Sequence, residues 1–168
     1  GVESTPGKGS GFWIELNLTS EPRQVSDGMD LLDAPIVHVP NDAPPRSLLY
    51  VEDNPANLLL VADLVSRRPD LRMLSATDGQ RGVEIARTCL PDVILMDINL
   101  PGISGIKALA LLRADPMTMH IPVIAVSANA MPRDIERGLA AGFFRYLTKP
   151  IKVNEFMDTL DLALKFSK

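Results

Sequence analysis

The residues with the most chemistry to offer stand at the ends of apolar runs. Val93-Ile94-Leu95-Met96 is uninterrupted and ends on Asp97, after which Ile98-Asn99-Leu100-Pro101-Gly102 turns the chain. Four apolar residues in a row read as a strand buried on both faces, the kind found in a parallel sheet covered by helices. Asp97 then falls at the carboxyl end of a central strand, where open α/β sheets place their ligand crevice. An aspartate at a strand end can also serve simply to start a turn. The company Asp97 keeps decides between the two. Glu52-Asp53 follow a first apolar strand, Ser127 ends a fourth and Lys149 follows a fifth. In a parallel sheet those ends converge. Three carboxylates crowded together repel and lose ionisation. A hard divalent cation with oxygen ligands resolves that conflict, and Mg²⁺ held by carboxylates and waters suits the donor set. A lysine and a hydroxyl at the same rim suit a phosphoryl group, one giving charge and the other a hydrogen bond.

The elements that must position these groups alternate from Ser47 onward. Leu48–Val51 reads as a strand, and Glu52-Asp53-Asn54-Pro55 opens a helix running to about Arg68. Leu71–Ala76 is a strand closed by Thr77-Asp78-Gly79, with a helix to about Leu90. After Val93–Asp97, a helix spans roughly Ser104 to Ala114. Pro122–Ser127 is the fourth strand, and Pro132 suits the first position of the next helix. Gly142 ends that helix, Phe143–Leu147 is the fifth strand and Thr148-Lys149-Pro150 a turn. The last helix sets Val153, Phe156, Met157, Leu160 and Leu164 on one face. Five strands alternating with five helices imply a doubly wound, five-stranded parallel α/β sheet. Phe143 and Phe144, adjacent on a strand, would face opposite ways, one into the core and one exposed; an exposed Phe144 would mark a docking contact.

The first 46 residues differ. They hold three basic and seven acidic residues, whereas residues 47–168 hold fourteen of each, so the net charge of −4 belongs to the leading segment. A neutral domain without a basic stripe gives no footprint for nucleic acid. Cys89 is the only cysteine, which rules out an intramolecular disulfide and a cysteine metal cluster and fits a reducing compartment. No apolar run reaches the roughly 20 residues of a membrane span, and the N-terminus lacks a signal-peptide layout. A cytoplasmic location without membrane contact is the expectation. Residues 20–46, with five prolines and five acids, read as linker; Ile36-Val37-His38-Val39 is a short apolar island within it. Residues 1–19 do not read as the start of a protein. Phe12–Thr19 alternates with Ile14, Leu16 and Leu18 on one face, preceded by a glycine-rich turn at Pro6–Gly11 and the short Val2-Glu3-Ser4, together a hairpin. Gly7-Lys8-Gly9 is not a phosphate loop: its spacing from Gly1 is one residue too long, and a strand follows where a helix is needed.

Two resemblances follow from these residues. Glu52-Asp53-Asn54, Met96-Asp97-x-Asn99-x-Pro101-Gly102-x-x-Gly105, Val126-Ser127-Ala128 and Leu147-x-Lys149-Pro150 strongly resemble the receiver domain of two-component response regulators, over about residues 47–168. Glu3-Ser4-x-Pro6-Gly7-Lys8-Gly9-Ser10-x-Phe12-x-x-x-Leu16 resembles the last hairpin of the ATP-binding domain of sensor histidine kinases, without that family's ATP-holding motifs. Together they imply a hybrid sensor histidine kinase: residues 1–19 the end of its kinase domain, 20–46 a linker and 47–168 a flavodoxin-like (βα)5 receiver. The resemblance allows a membrane anchor upstream in the parent protein.

The receiver resemblance implies the roles. Asp97 would be the phosphoacceptor, taking a phosphoryl group from phosphohistidine. Asp53, Asp97 and the backbone carbonyl of Asn99 would ligate Mg²⁺, with Glu52 acting through water. Lys149 would pair with Asp97 and then with the phosphoryl group, Ser127 would close onto it, and Tyr146 would be the aromatic that switches rotamer. The Lys149–Pro150 bond would be cis. The surface around the fourth helix, fifth strand and fifth helix would change, and Phe143-Phe144-Arg145 departs there from the common pattern. The partners implied are a histidine kinase or histidine phosphotransfer domain, a kinase domain of the same chain, or a second receiver. Other classes fit less well. An acid-phosphatase or dehalogenase-type enzyme wants an acid where Asn99 stands, and a dinucleotide domain wants glycines after the first strand. A receiver-like module that regulates a kinase without being phosphorylated would be expected to have lost a site residue.

Overall fold

The computed structural model describes the backbone of Val2–Thr5 and Gly9–Phe12, and residues 45–167. The chain divides into two units, Gly1–Val39 and Pro40–Lys168. In the first, β1 (Val2–Thr5) pairs antiparallel with β2 (Gly9–Phe12), setting Val2 opposite Phe12 and Thr5 opposite Gly9. The hairpin closes more tightly than the glycine pattern suggested. Gly9-Ser10-Gly11, expected in the turn, form the second strand, because glycine enters extended conformations as readily as turns. The expected face of Ile14, Leu16 and Leu18, the Ile36–Val39 island and nearly all of the linker lie outside the described residues.

The second unit is the doubly wound sheet. Its elements are β3 (Arg46–Val51), α1 (Pro55–Ser66), β4 (Leu71–Ala76), α2 (Gly79–Cys89), β5 (Val93–Asp97), α3 (Gly105–Arg113), β6 (Val123–Ser127), α4 (Pro132–Ala140), β7 (Arg145–Thr148) and α5 (Val153–Phe166). All five strands are parallel in the order β4-β3-β5-β6-β7. From β3 the chain moves outward to β4, then returns past β3 to β5. The connections therefore diverge between β3 and β5, and the crevice of such a sheet opens at the carboxyl ends of those two strands.

Alternation along the strands builds two cores. Leu48, Tyr50, Leu95 and Val126 face α1 and α5, meeting Val61, Leu64, Phe156 and Leu160. Leu49, Val51, Ile94, Met96 and Ala125 face the other way, meeting Val83 of α2 and Ala108, Leu109 and Leu112 of α3. Helix starts follow local chemistry. Asn54 accepts from the Ala56 amide with Pro55 at the first helical position, and Asp78 and Ser104 accept from the amides of Arg81 and Lys107; each satisfies a donor that the first turn leaves without a partner.

Two boundaries depart from expectation. Arg46, read as linker, opens β3; its guanidinium donates to the Leu164 carbonyl at 2.6 Å and to Ser167 Oγ at 2.9 Å, which ties the first strand of the sheet to the last helix. The fifth strand starts at Arg145 rather than Phe143. The two phenylalanines precede it and enter opposite cores, so neither is exposed: Phe143 is buried among the α3-side residues, and Phe144 is half-buried against the α5 side. The Phe144 ring stands edge-on to Phe166 at 5.0 Å between centroids. Both rings are spent on packing, which removes Phe144 as an exposed docking residue. The end of α2 falls where expected, at Leu90, which caps the helix in the left-handed region at φ 45°, ψ 63° and is 42% exposed. Glycine is the usual occupant there, because a Cβ is strained in that conformation. Leu90→Gly is expected to raise unfolding stability by about 1 kcal/mol, read as a higher urea midpoint at unchanged slope.

Candidate functional site

The carboxyl ends of β3 and β5 bring Glu52, Asp53 and Asp97 together, with one oxygen of each within 4.8 Å of the others. Burial differs among them. Glu52 is 1% and Asp97 4% exposed, whereas Asp53 is open to solvent. Glu52 stays on the face of Tyr50, whose hydroxyl it accepts, whereas Asp53 lies in the bend past the end of β3.

The charge that holds this cluster is Lys149, just past β7. Its ammonium donates to Asp97 Oδ2 at 2.6 Å and to Glu52 Oε2 at 2.7 Å, and the side chain is 20% exposed. Burial alone would pull the ammonium downward; the hydrogen bonds to Asp97 and Glu52 outweigh it and raise the group above its ordinary value. Glu52 shows the converse balance. Burial alone would push its carboxyl up, but hydrogen bonds from Lys149, Tyr50 and Asn57 hold it below the usual range. The Lys149–Pro150 bond, which sets the chain after this lysine, is cis. Asp97 also folds back on its own loop, Oδ1 accepting from the Asn99 amide at 2.8 Å.

Ser127 and Tyr146 flank this centre and are joined through one residue. The Asn129 amide donates to Ser127 Oγ at 3.1 Å, and the Tyr146 hydroxyl donates to the Asn129 carbonyl at 3.0 Å. Ser127 is fully buried at the end of β6. The Tyr146 ring lies over Gly138 of α4, where an added Cβ would stand 2.8 Å from the ring.

Glu52, Asp53, Asp97, Asn99, Ser127 and Lys149 thus lie at or just past the carboxyl ends of their strands, as the sequence implies, and Tyr146, inside β7, reaches the loop after β6 through its hydroxyl. Three contributors escaped the sequence reading: Asn129, which joins Ser127 to Tyr146, and two partners of Glu52. The Tyr50 hydroxyl donates to Glu52 Oε2 at 2.7 Å, and the Asn57 amide donates to Oε1 at 3.1 Å. Tyr50 left a signal: a hydroxyl in a strand buried on both faces needs a partner, and Glu52, two residues on, shares its face. Asn57 left none, since a polar residue in a first helical turn is ordinary.

A five-stranded parallel sheet with an acidic switch-point crevice and a lysine across it defines a class. Residues 48–161 match the response regulator receiver domain family, and the chain belongs to that family. It is 40% identical over 116 residues to the polar-differentiation response regulator DivK of Brucella anthropi, covering 69% of this chain and 94% of that protein. The receiver domain of a sensor histidine kinase from Pseudomonas aeruginosa, whose structure has a magnesium ion coordinated in its active-site cleft, is 35% identical with a TM-score of 0.66, covering 72% of this chain and 98% of its own. A receiver domain of a signal-transduction histidine kinase from Syntrophus aciditrophicus is 25% identical with a TM-score of 0.65, covering 71% and 90%. Among the described residues, no helix is long and apolar enough to cross a membrane.

Proposed function

We propose that residues 47–168 form a phosphoacceptor in a two-component phosphorelay, with Asp97 as the residue phosphorylated. The observation that carries this reading is the buried Asp97 carboxylate, held 2.6 Å from Lys149 at the mouth of an otherwise acidic crevice. The donor is a phosphohistidine on a kinase or a histidine phosphotransfer domain. An Asp97 oxygen attacks phosphorus, the phosphorus–nitrogen bond breaks, and its electron pair returns to the imidazole, leaving an aspartyl phosphate. Lys149 transfers a hydrogen bond from Asp97 to a phosphoryl oxygen. Ser127 ceases to accept from the Asn129 amide and donates its O–H to the phosphoryl group instead. Because Asn129 also holds the Tyr146 hydroxyl, the movement of Ser127 releases Tyr146 and changes the surface of α4, β7 and α5.

The donor set fits Mg²⁺. Three carboxylates converge on one point with only oxygen to offer, and Lys149 offsets a single charge among them. Asp53, Asp97 and the Asn99 carbonyl would hold the ion, with Glu52 acting through water. A bound Mg²⁺ neutralises charge on the oxygens of the transferring group. The receiver so placed, behind a hairpin like the last one of a histidine-kinase ATP-binding domain, fits a hybrid sensor kinase signalling in the cytoplasm, with a kinase domain of its own chain, a phosphotransfer domain or a second receiver as partner.

The test is acetyl phosphate with and without Mg²⁺, read by intact mass. Wild type is expected to gain one phosphoryl group only with Mg²⁺, and Asp97→Asn none. No gain by wild type, with no Mg²⁺ binding, would favour a module that regulates a kinase without being phosphorylated. A companion experiment reads the stored repulsion. Asp53→Asn removes one like charge from the cluster, so without metal its melting temperature is expected to rise by the equivalent of about 1 kcal/mol. The upward shift that Mg²⁺ gives wild type is expected to shrink in the same variant.

A further inference from the structure

Glu52 has no lone pair to spare. Its Oε1 accepts from the Asn54 amide at 3.2 Å and the Asn57 side-chain amide at 3.1 Å, and its Oε2 accepts from the Tyr50 hydroxyl and Lys149 Nζ, both at 2.7 Å. Four donors fill the four acceptor sites of a carboxylate. Two are unavoidable: the Asn54 amide comes with the turn, and Lys149 serves Asp97 as well. The other two are side-chain choices. Tyr50 is fully buried, where phenylalanine or leucine would pack without a hydroxyl to satisfy, and Asn57 lies in the first turn of α1, where its amide reaches inward.

We infer that Tyr50 and Asn57 are positioning residues that keep Glu52 out of direct contact with the metal and so fit the crevice to Mg²⁺ over Ca²⁺. The inference rests on the proposed Mg²⁺ site and adds the basis of its selectivity. Mg²⁺ keeps several waters and needs few protein oxygens, whereas Ca²⁺ takes six to eight oxygen ligands and gains from each carboxylate that can turn to it. A Glu52 held by Tyr50, Asn57 and the Asn54 amide can accept from a water on a small hydrated ion at the one site Lys149 would give up, but cannot swing in to a larger ion. Freed of Tyr50 or Asn57, it has a lone pair to offer.

The experiment titrates the full chain with Mg²⁺ and, separately, Ca²⁺ by calorimetry, comparing wild type, Tyr50→Phe, Asn57→Ala, Glu52→Gln and Tyr50→Phe/Glu52→Gln. Tyr50→Phe and Asn57→Ala are each expected to raise the Ca²⁺-to-Mg²⁺ affinity ratio about tenfold, the scale of one hydrogen bond to a charged group. In the Glu52→Gln background, Tyr50→Phe is expected to leave the ratio alone, which separates an effect through Glu52 from a general loosening of the core. A merely structural role would weaken both ions in proportion. An unchanged ratio in both Tyr50→Phe and Asn57→Ala overturns the inference while leaving the Mg²⁺ site intact; failure of wild type to bind Mg²⁺ overturns both. Should Tyr50→Phe not fold, Asn57→Ala on the helix surface reads the same ratio.

Discussion

Lys149→Met is expected to lower phosphoryl incorporation from acetyl phosphate by about a hundredfold or more, while Mg²⁺ binds as tightly as in wild type or more so. Methionine keeps most of the aliphatic stem and removes only the ammonium, so the variant reads charge and hydrogen bonding rather than packing. The loss follows from geometry. Nζ lies 2.6 Å from Asp97 Oδ2 and 2.7 Å from Glu52 Oε2, which fixes a cation beside the oxygens where negative charge develops in transfer. Removing one such preorganised donor typically costs a factor of 10² to 10³. The opposite sign for the metal comes from the same charge: Lys149 and Mg²⁺ compete for one set of carboxylates, so deleting one strengthens the other. Lys149→Arg is not expected to restore the rate, because a planar guanidinium does not reproduce a compact ammonium between two acceptors. Stopped incorporation and Mg²⁺ calorimetry on the same preparations check both halves. Incorporation within about threefold of wild type would remove Lys149 from the proposed chemistry.

Much of this site was readable because strand ends in a parallel sheet share a rim. Apolar runs ending in Glu52-Asp53, Asp97, Ser127 and just before Lys149 needed only the right topology to converge, and alternation with helices supplied it. The strand and helix order holds throughout residues 47–167. What the pattern missed is side-chain detail that periodicity does not encode. Phe143 and Phe144 look like strand residues by type and do enter opposite cores, yet the ladder of β7 begins only at Arg145. The double service of Lys149 was equally hidden: glutamate is one methylene longer than aspartate, and only coordinates reveal that Glu52 reaches the lysine as Asp97 does. The bond between Asn129 and both Ser127 and Tyr146 is a loop property, set by backbone geometry after β6.

The glycines after Asp97 carry the second large effect, since similar residues there act for different reasons. Gly102 has φ 74° and open space around it, so a Cβ there meets only backbone strain. Gly105 has an ordinary φ, but a Cβ on it would collide with the Asp97 carbonyl oxygen and stand 2.9 Å from Ile98 Cα. Both contacts are backbone, so no rotamer change relieves them. The close approach has a purpose: the Gly105 amide donates to the Ile98 carbonyl at 3.0 Å, pinning the start of α3 to the end of β5. Gly105→Ala must push α3 away from the strand end that presents Asp97. The expected destabilisation is about 3 kcal/mol or more, at the upper end for overpacking, against about 1 kcal/mol for Gly102→Ala. Urea unfolding of the two variants measures the difference directly. The Gly105 variant, where folded, is also expected to incorporate phosphate more slowly than Gly102→Ala, because its shift moves the backbone that aims the Asp97 carboxylate. Equal unfolding midpoints for the two would mean that the β5–α3 loop yields freely, and that the tight seat of α3 does not fix Asp97.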